Sequence, residues 1–220
     1  MACSSGSKIL VKNEQILIDN SISNNSKIDS IISPYRNELN KEMNEIIAYS
    51  KVDFLVAKPC GNLNNWVADA LLNSQIKNKK IEEPVFCLIN TGGIRSTINK
   101  GDISLGDFFK LMPFDNLLVW VKMPISSIVD IEQYIKSSDG EPISGAQIHN
   151  GKLIIDGLKN ESDYFWVITS DYLFNGGDKM YFFNQKLDFI MTDVLMRNVL
   201  ISEAKGQKIL IQDTTNRIIF

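Results

Sequence analysis

Three short stretches of this 220-residue chain hold residue types suited to a charged ligand that also carries a flat ring. In the first, Asn90-Thr91-Gly92-Gly93-Ile94-Arg95, two glycines follow a continuous apolar run at 85–89. Glycines let the backbone approach a ligand closely and turn N–H groups toward an anion. Arg95 adds a charge-assisted contact whose fork suits phosphate or carboxylate. The second stretch, Pro113-Phe114-Asp115-Asn116, puts an aromatic in a loop. The third, Asp171-Tyr172-Leu173-Phe174-Asn175-Gly176-Gly177-Asp178, combines aromatics, a double glycine and a carboxylate. Taken singly, these also read as a tight turn, a core phenylalanine and a cap. Together they make the inventory of a nucleotide site: aromatics around the base, Asp178 on vicinal sugar hydroxyls, Arg95 on phosphate. Base–aromatic stacking contributes about 1–3 kcal/mol per base, and a hydrogen bond to a charged group about 1.5–3 kcal/mol. Two of each suffice for micromolar affinity, about −8 kcal/mol, before the entropy of association.

The elements that must position these loops follow from hydrophobic period and punctuation. Alternation at Ile9, Val11, Ile16 and Ile18 predicts two short strands or a hairpin, and the Ser/Asn-rich residues 19–30 a linker. Ser33-Pro34 predicts a helix start, with Tyr35, Leu39, Met43, Ile46 and Ile47 at helical spacing. A second helix begins after Gly61, with Leu63, Trp66, Val67, Ala70 and Leu71 as its apolar stripe. Residues 85–89 predict a strand buried on both faces. Ser104 with Asp107 resembles a capping box, opening a short helix that Pro113 ends. Strands are expected at 117–121 and 165–169, and a helix after Pro124. Asn150-Gly151 predicts a type I′ hairpin over 147–154. A helix is expected over roughly 190–204 with Gly206 as its stop, and edge strands at 209–211 and 218–220. The expected class is α/β, of the α+β type, with a mixed sheet and packed helices. Residues 1–30 are expected to form an extension or tether with short strands, and 31–220 one domain.

At these loops the sequence resembles the C-terminal, substrate-binding domain of the 5'-nucleotidase and UDP-sugar hydrolase family. The likeness covers roughly residues 34–205. It rests on Gly61-Asn62-Leu63 through Leu72, residues 90–95, Gly101-Asp102-Ile103-Ser104 through Asn116, and residues 171–178. The resemblance implies that Asn90 and Arg95 contact the nucleotide, with Gly92 and Gly93 shaping their loop. It makes Phe114 and Tyr172 the two faces of a base clamp; family members often carry phenylalanine where Tyr172 stands. Asn116 and Gly145 are implied to approach the base, and Asp178 to bind ribose. One departure is Lys58: the family usually has an arginine shortly before the Gly-Asn-Leu helix, and lysine lacks its bidentate fork.

The resemblance also implies where the chemistry takes place. In this family hydrolysis occurs in a separate N-terminal metallophosphatase domain, on two metal ions held by His, Asp and Asn side chains. This sequence has one histidine, His149, beside the Asn150-Gly151 turn, where it reads as a surface strand residue. The expected protein is therefore a nucleotide-binding half with no catalytic residues and no metal ligands of its own, inactive alone. Divalent metal ions are expected in a metallophosphatase domain or a separate chain.

Composition narrows the partners. Net charge is −3, from 23 basic and 26 acidic residues, and 44% of residues are hydrophobic. That excludes a disordered polymer, a collagen-like fibre and a strongly basic nucleic-acid binder. No apolar stretch reaches the roughly 18–20 residues that span a bilayer. The start Met1-Ala2-Cys3-Ser4-Ser5-Gly6-Ser7 looks like the end of a bacterial lipobox. It predicts a lipid anchor at Cys3, a periplasmic or outer-surface lipoprotein, and a separately encoded catalytic half. Cys60 and Cys87 lack the Cys-x-x-Cys spacing of zinc sites. Competing readings are a superfamily member for a non-nucleotide phosphoester or sulfur compound, a degenerate interaction module without ligand, and a cysteine hydrolase using Cys60 or Cys87 with His149.

Overall fold

The computed structural model describes residues 19, 22, 23, 25–77 and 82–220. The expected strands around Ile9–Val11 and Ile16–Ile18, and the lipid-anchor expectation at Cys3, fall outside them. Chain contacts divide the protein into residues 1–39 and residues 40–220. The first unit contains most of helix α1, Ser26–Met43, in which no side chain is buried. Its start corrects the sequence reading. Asn25 caps it through its side-chain oxygen, which accepts from Lys27 N at 3.1 Å and Ile28 N at 3.3 Å. Pro34 therefore lies inside the helix, and the Ser33 hydroxyl donates back to the Asp29 carbonyl.

In the second unit, β1 (Ile46–Ser50) leads to α2 (Asn62–Ile76), β2 (Val85–Leu88), β3 (Gly101–Ser104) and α3 (Leu105–Leu111). Ile46 and Ile47 are thus strand residues, not the end of a helix, because β1 pairs with β3. Asp107 accepts from both Ser104 N (2.9 Å) and Ser104 Oγ (2.7 Å) at the start of α3. Burial pushes this carboxyl up, but those bonds, with the hydrogen bond and charge of Lys110, outweigh it and hold it below its ordinary value. There follow β4 (Leu117–Pro124), α4 (Ile128–Ser137), β5 (Ile143–Ser144), β6 (Ala146–His149), β7 (Lys152–Ile155), β8 (Tyr164–Ser170), α5 (Asp171–Phe174), β9 (Asp188–Leu195), α6 (Met196–Gln207) and β10 (Ile218–Ile219). Asn150 and Gly151 both have positive φ, 51° and 72°, as the hairpin between β6 and β7 requires.

The main sheet has the order β5-β2-β8-β4-β9. β2 and β8 run parallel, and its other pairs are antiparallel, so the sheet is mixed. Helix α2 packs on β2, β5 and α6. Its Trp66 lies between Phe54 and Phe108, with ring centroids 6.4 and 6.0 Å away. β2 is buried from Phe86 to Leu88, as its apolar run predicts. The helix expected over 190–204 is half strand: residues 188–195 form β9 on the edge of β4, and the helix begins only at Met196. Gly206 lies inside α6 rather than stopping it; the left-handed residue after the helix is Lys208, with φ 60°.

This topology decides where the loops go. β8 is parallel to β2, so both strands end at the same edge of the sheet. β4 is antiparallel to β8, so it begins there, with Leu118 opposite Ser170. The loop leaving β2, the loop entering β4 and the loop leaving β8 are therefore neighbours, at the carboxyl ends of the parallel pair, where open sheets of this kind bind ligands.

Candidate functional site

At that edge lies a cavity of about 340 Å³, lined by Asn90, Gly92, Gly93, Arg95, Phe114, Asn116, Tyr172 and Asp178. Its size falls within the range of small-molecule sites. Eight of the nine residues singled out in the sequence are thus brought together from three loops. The ninth, Gly145, is not among them. β5 runs antiparallel to β2, with Ser144 opposite Cys87, so the chain after β5 moves toward the start of β2 and away from the site. Gly145 (φ 75°) sits where a Cβ would come 2.9 Å from the Val85 carbonyl oxygen and 3.3 Å from Phe86 Cα. Close packing, rather than a ligand, explains the glycine.

The first and third loops are joined directly. Asn90 Nδ2 donates to Asp178 Oδ2 at 2.6 Å, and the Tyr172 hydroxyl donates to Asp178 Oδ1 at 2.9 Å. Both carboxylate oxygens are oriented yet keep lone pairs for a diol. The bond to Asp178 raises the Tyr172 phenol above its ordinary value. Asp178 itself has φ 50°, a left-handed conformation that aspartate tolerates better than most residues. Gly177 is required for contact: a Cβ there would overlap the Tyr172 ring. Phe114 and Tyr172 are 45% and 48% exposed, so each keeps a ring face open to a ligand.

The glycine loop differs from expectation. Thr91 N donates to Glu141 Oε2 (2.6 Å), Gly93 N to the Asn90 carbonyl (3.1 Å), Ile94 N to the Thr91 carbonyl (3.0 Å) and Arg95 N to the Leu111 carbonyl (2.8 Å). With these N–H groups already used, the loop is not an open row of donors, and its charge comes from Arg95. The Arg95 guanidinium donates to the Gly92 carbonyl at 3.2 Å, which places it over the loop. Lys58 does not line the cavity. Its Nζ donates to the Ser138 carbonyl (2.5 Å) and pairs with Glu141 at 3.1 Å.

Several supporting residues went unremarked in the sequence. Arg197 on α6, 8% exposed, donates to the carbonyls of Met112 (3.0 Å) and Phe114 (3.3 Å) and pairs with Asp115. It holds the aromatic loop from below, while Met196 N donates to the Asn116 carbonyl at 3.0 Å. An arginine within the apolar run around 195–200 is the available signal. Tyr134 and Glu141 brace the other two loops and had no local signal. His149 is exposed on β6, away from the cavity. Among the described residues no three His, Cys, Asp or Glu side chains gather to hold a metal ion. No helix among them is long and apolar enough to cross a membrane.

Residues 46–130 match the family model "5'-nucleotidase, C-terminal domain". Over those residues the chain is similar to a 5'-nucleotidase C-terminal domain. The domain is similar to the trifunctional nucleotide phosphoesterase YfkN of Bacillus subtilis, 34% identical over 106 residues, which is 46% of this chain and 7% of that protein. It is also similar to UshA of Yersinia enterocolitica, 33% identical over 75 residues, 33% of this chain and 13% of the relative. A solved 5'-nucleotidase precursor from Thermus thermophilus shares the fold, with TM-score 0.68 and 20% identity over 88% of this chain and 43% of that one. The chain thus spans less than half the length of the relatives it matches.

Proposed function

We propose that this domain binds a nucleoside or nucleotide and presents its phosphoester to a metallophosphatase active site on another domain or chain. One observation carries the reading: three separate loops converge on one cavity that holds two half-exposed aromatic rings, an oriented carboxylate and a guanidinium. The rings stack on the two faces of a base, Asp178 accepts from the vicinal hydroxyls of ribose, and Arg95 neutralises phosphate. Asn116, which also lines the cavity, meets the polar edge of the base in this reading. What the domain contributes to hydrolysis in this reading is position: the cavity residues hold the nucleotide where a partner site can act on its phosphoester. The divalent ions belong to the catalytic partner.

Two measurements test the proposal. Calorimetry with adenosine, AMP and UDP-glucose should show binding in the micromolar to millimolar range. A screen in which none of these stabilises the fold at millimolar concentration overturns it. Mixing the domain with a two-metal phosphatase partner should then raise AMP hydrolysis above the partner's own rate. No increase removes the presenting role and leaves binding alone.

A further inference from the structure

Both ligand loops are braced by one piece of chain that does not line the cavity. Helix α4 and the turn after it, residues 128–141, reach the site from behind. Glu141 is 6% exposed, and its two carboxylate oxygens serve different partners. Oε2 accepts from Thr91 N at 2.6 Å, at the start of the glycine loop, and Oε1 pairs with Lys58 at 3.1 Å. Lys58 also donates to the Ser138 carbonyl, which ties the turn at both ends. From the same helix the Tyr134 hydroxyl donates to the Asp178 backbone carbonyl at 3.1 Å, holding that residue in its left-handed conformation. The Tyr134 ring is fixed edge-on against Phe182, with centroids 5.5 Å apart. The antiparallel pairing of β5 with β2 explains the placement. Residues just before β5 must lie beside residues just after β2, and Ile89 N donates to the Pro142 carbonyl at 3.1 Å.

We infer that Glu141 and Tyr134 are positioning residues of the binding site, Glu141 fixing the loop that carries Asn90 and Arg95, and Tyr134 fixing Asp178. Lys58 is the counter-charge of Glu141 and not a ligand for phosphate. The inference rests on the nucleotide reading for its effect on affinity, but the brace itself is testable without ligand. Truncating this buried carboxylate leaves the Thr91 N–H without its acceptor, while Lys58 keeps the Ser138 carbonyl, so the effect falls on the glycine loop.

The test compares Glu141→Ala, Glu141→Gln and Tyr134→Phe in the intact chain. Amide hydrogen exchange at Thr91 should speed up about tenfold or more in Glu141→Ala and return close to wild type in Glu141→Gln, which keeps an acceptor. In the folded fraction, AMP affinity should fall about tenfold in Glu141→Ala and recover in Glu141→Gln. The loss should be larger for AMP than for adenosine, since Arg95 rides on the braced loop. Tyr134→Phe should weaken both ligands by similar factors. A purely structural role would lower the melting temperature and leave the affinity of folded protein unchanged, and that result overturns the inference. Unchanged Thr91 exchange in a folded Glu141→Ala also overturns it. If exchange responds as expected but wild-type protein binds neither ligand, the nucleotide reading falls and takes the affinity half of the inference with it.

Discussion

Truncating Phe114 to alanine separates what the ring does for the fold from what it does for a ligand. Fully burying a phenylalanine side chain contributes about 1.5–3 kcal/mol. With 45% of Phe114 exposed, the fold realises roughly half of that, so Phe114→Ala should cost about 1 kcal/mol of stability. The exposed face is the part a stacked base would cover. Losing it should cost a further 1–3 kcal/mol of binding, about 5- to 150-fold in Kd. Phe189 on β9 is the matched control, because it is the same residue at 44% exposure and lies outside the cavity. Calorimetric titration of adenosine and AMP, with a thermal melt of each variant, reads both effects. Phe114→Ala should lose affinity, Phe114→Trp should keep it, and Phe189→Ala should change stability alone. If Phe114→Ala binds as tightly as wild type, or if Phe189→Ala weakens binding to the same degree, the stacking argument is wrong.

Asp178→Asn should weaken adenosine about tenfold while barely affecting 2′,3′-dideoxyadenosine, because the hydroxyls that need the carboxylate are absent from the latter; competition binding reads the difference. Arg197→Met leaves the Met112 and Phe114 carbonyls without their donor. It should cost about 2 kcal/mol, roughly 4–8 °C in melting temperature, and calorimetric scanning checks it. Asp213 gives the fold an acid-sensitive link. Burial pushes its carboxyl up, but hydrogen bonds from Thr215 and Arg217 and the Arg217 charge outweigh this and bring it to about 2, from an ordinary 3.8. Because folding lowers this value, the contribution is complete above about pH 4 and is lost as pH falls toward 2. Asp213→Asn should flatten the stability profile in that window and leave its slope near neutrality unchanged, as denaturant titrations across pH would show.

Much of the site was legible because its residue types are informative wherever they sit. Two glycines after a buried strand, an aromatic after a helix-ending proline, and an aspartate after a second double glycine remain loop features in almost any fold. Resemblance to a known domain then named roles for them. Local chemistry also settled α2, the Ser104–Asp107 contact and the Asn150-Gly151 hairpin, since each depends on neighbours within a few residues. Helical spacing misled at Ile46–Ile47 and again at residues 190–195. In both places a partner strand distant in sequence supplied backbone hydrogen bonds that no local period records.

The sequence alone determined the residue types of the three loops, two with double glycines and two with aromatics, and the presence of one histidine beside a turn. Only the tertiary structure decided which parts meet. The parallel pairing of β2 with β8 and the antiparallel pairing of β4 bring the three loops to one edge, while the reversed β5 carries Gly145 away from it. The same reversal brings Glu141 beneath the glycine loop, where it occupies Lys58 and the Thr91 N–H. Strand direction and register are set by hydrogen bonds between residues far apart in the chain, so no reading of neighbouring residues could have supplied them.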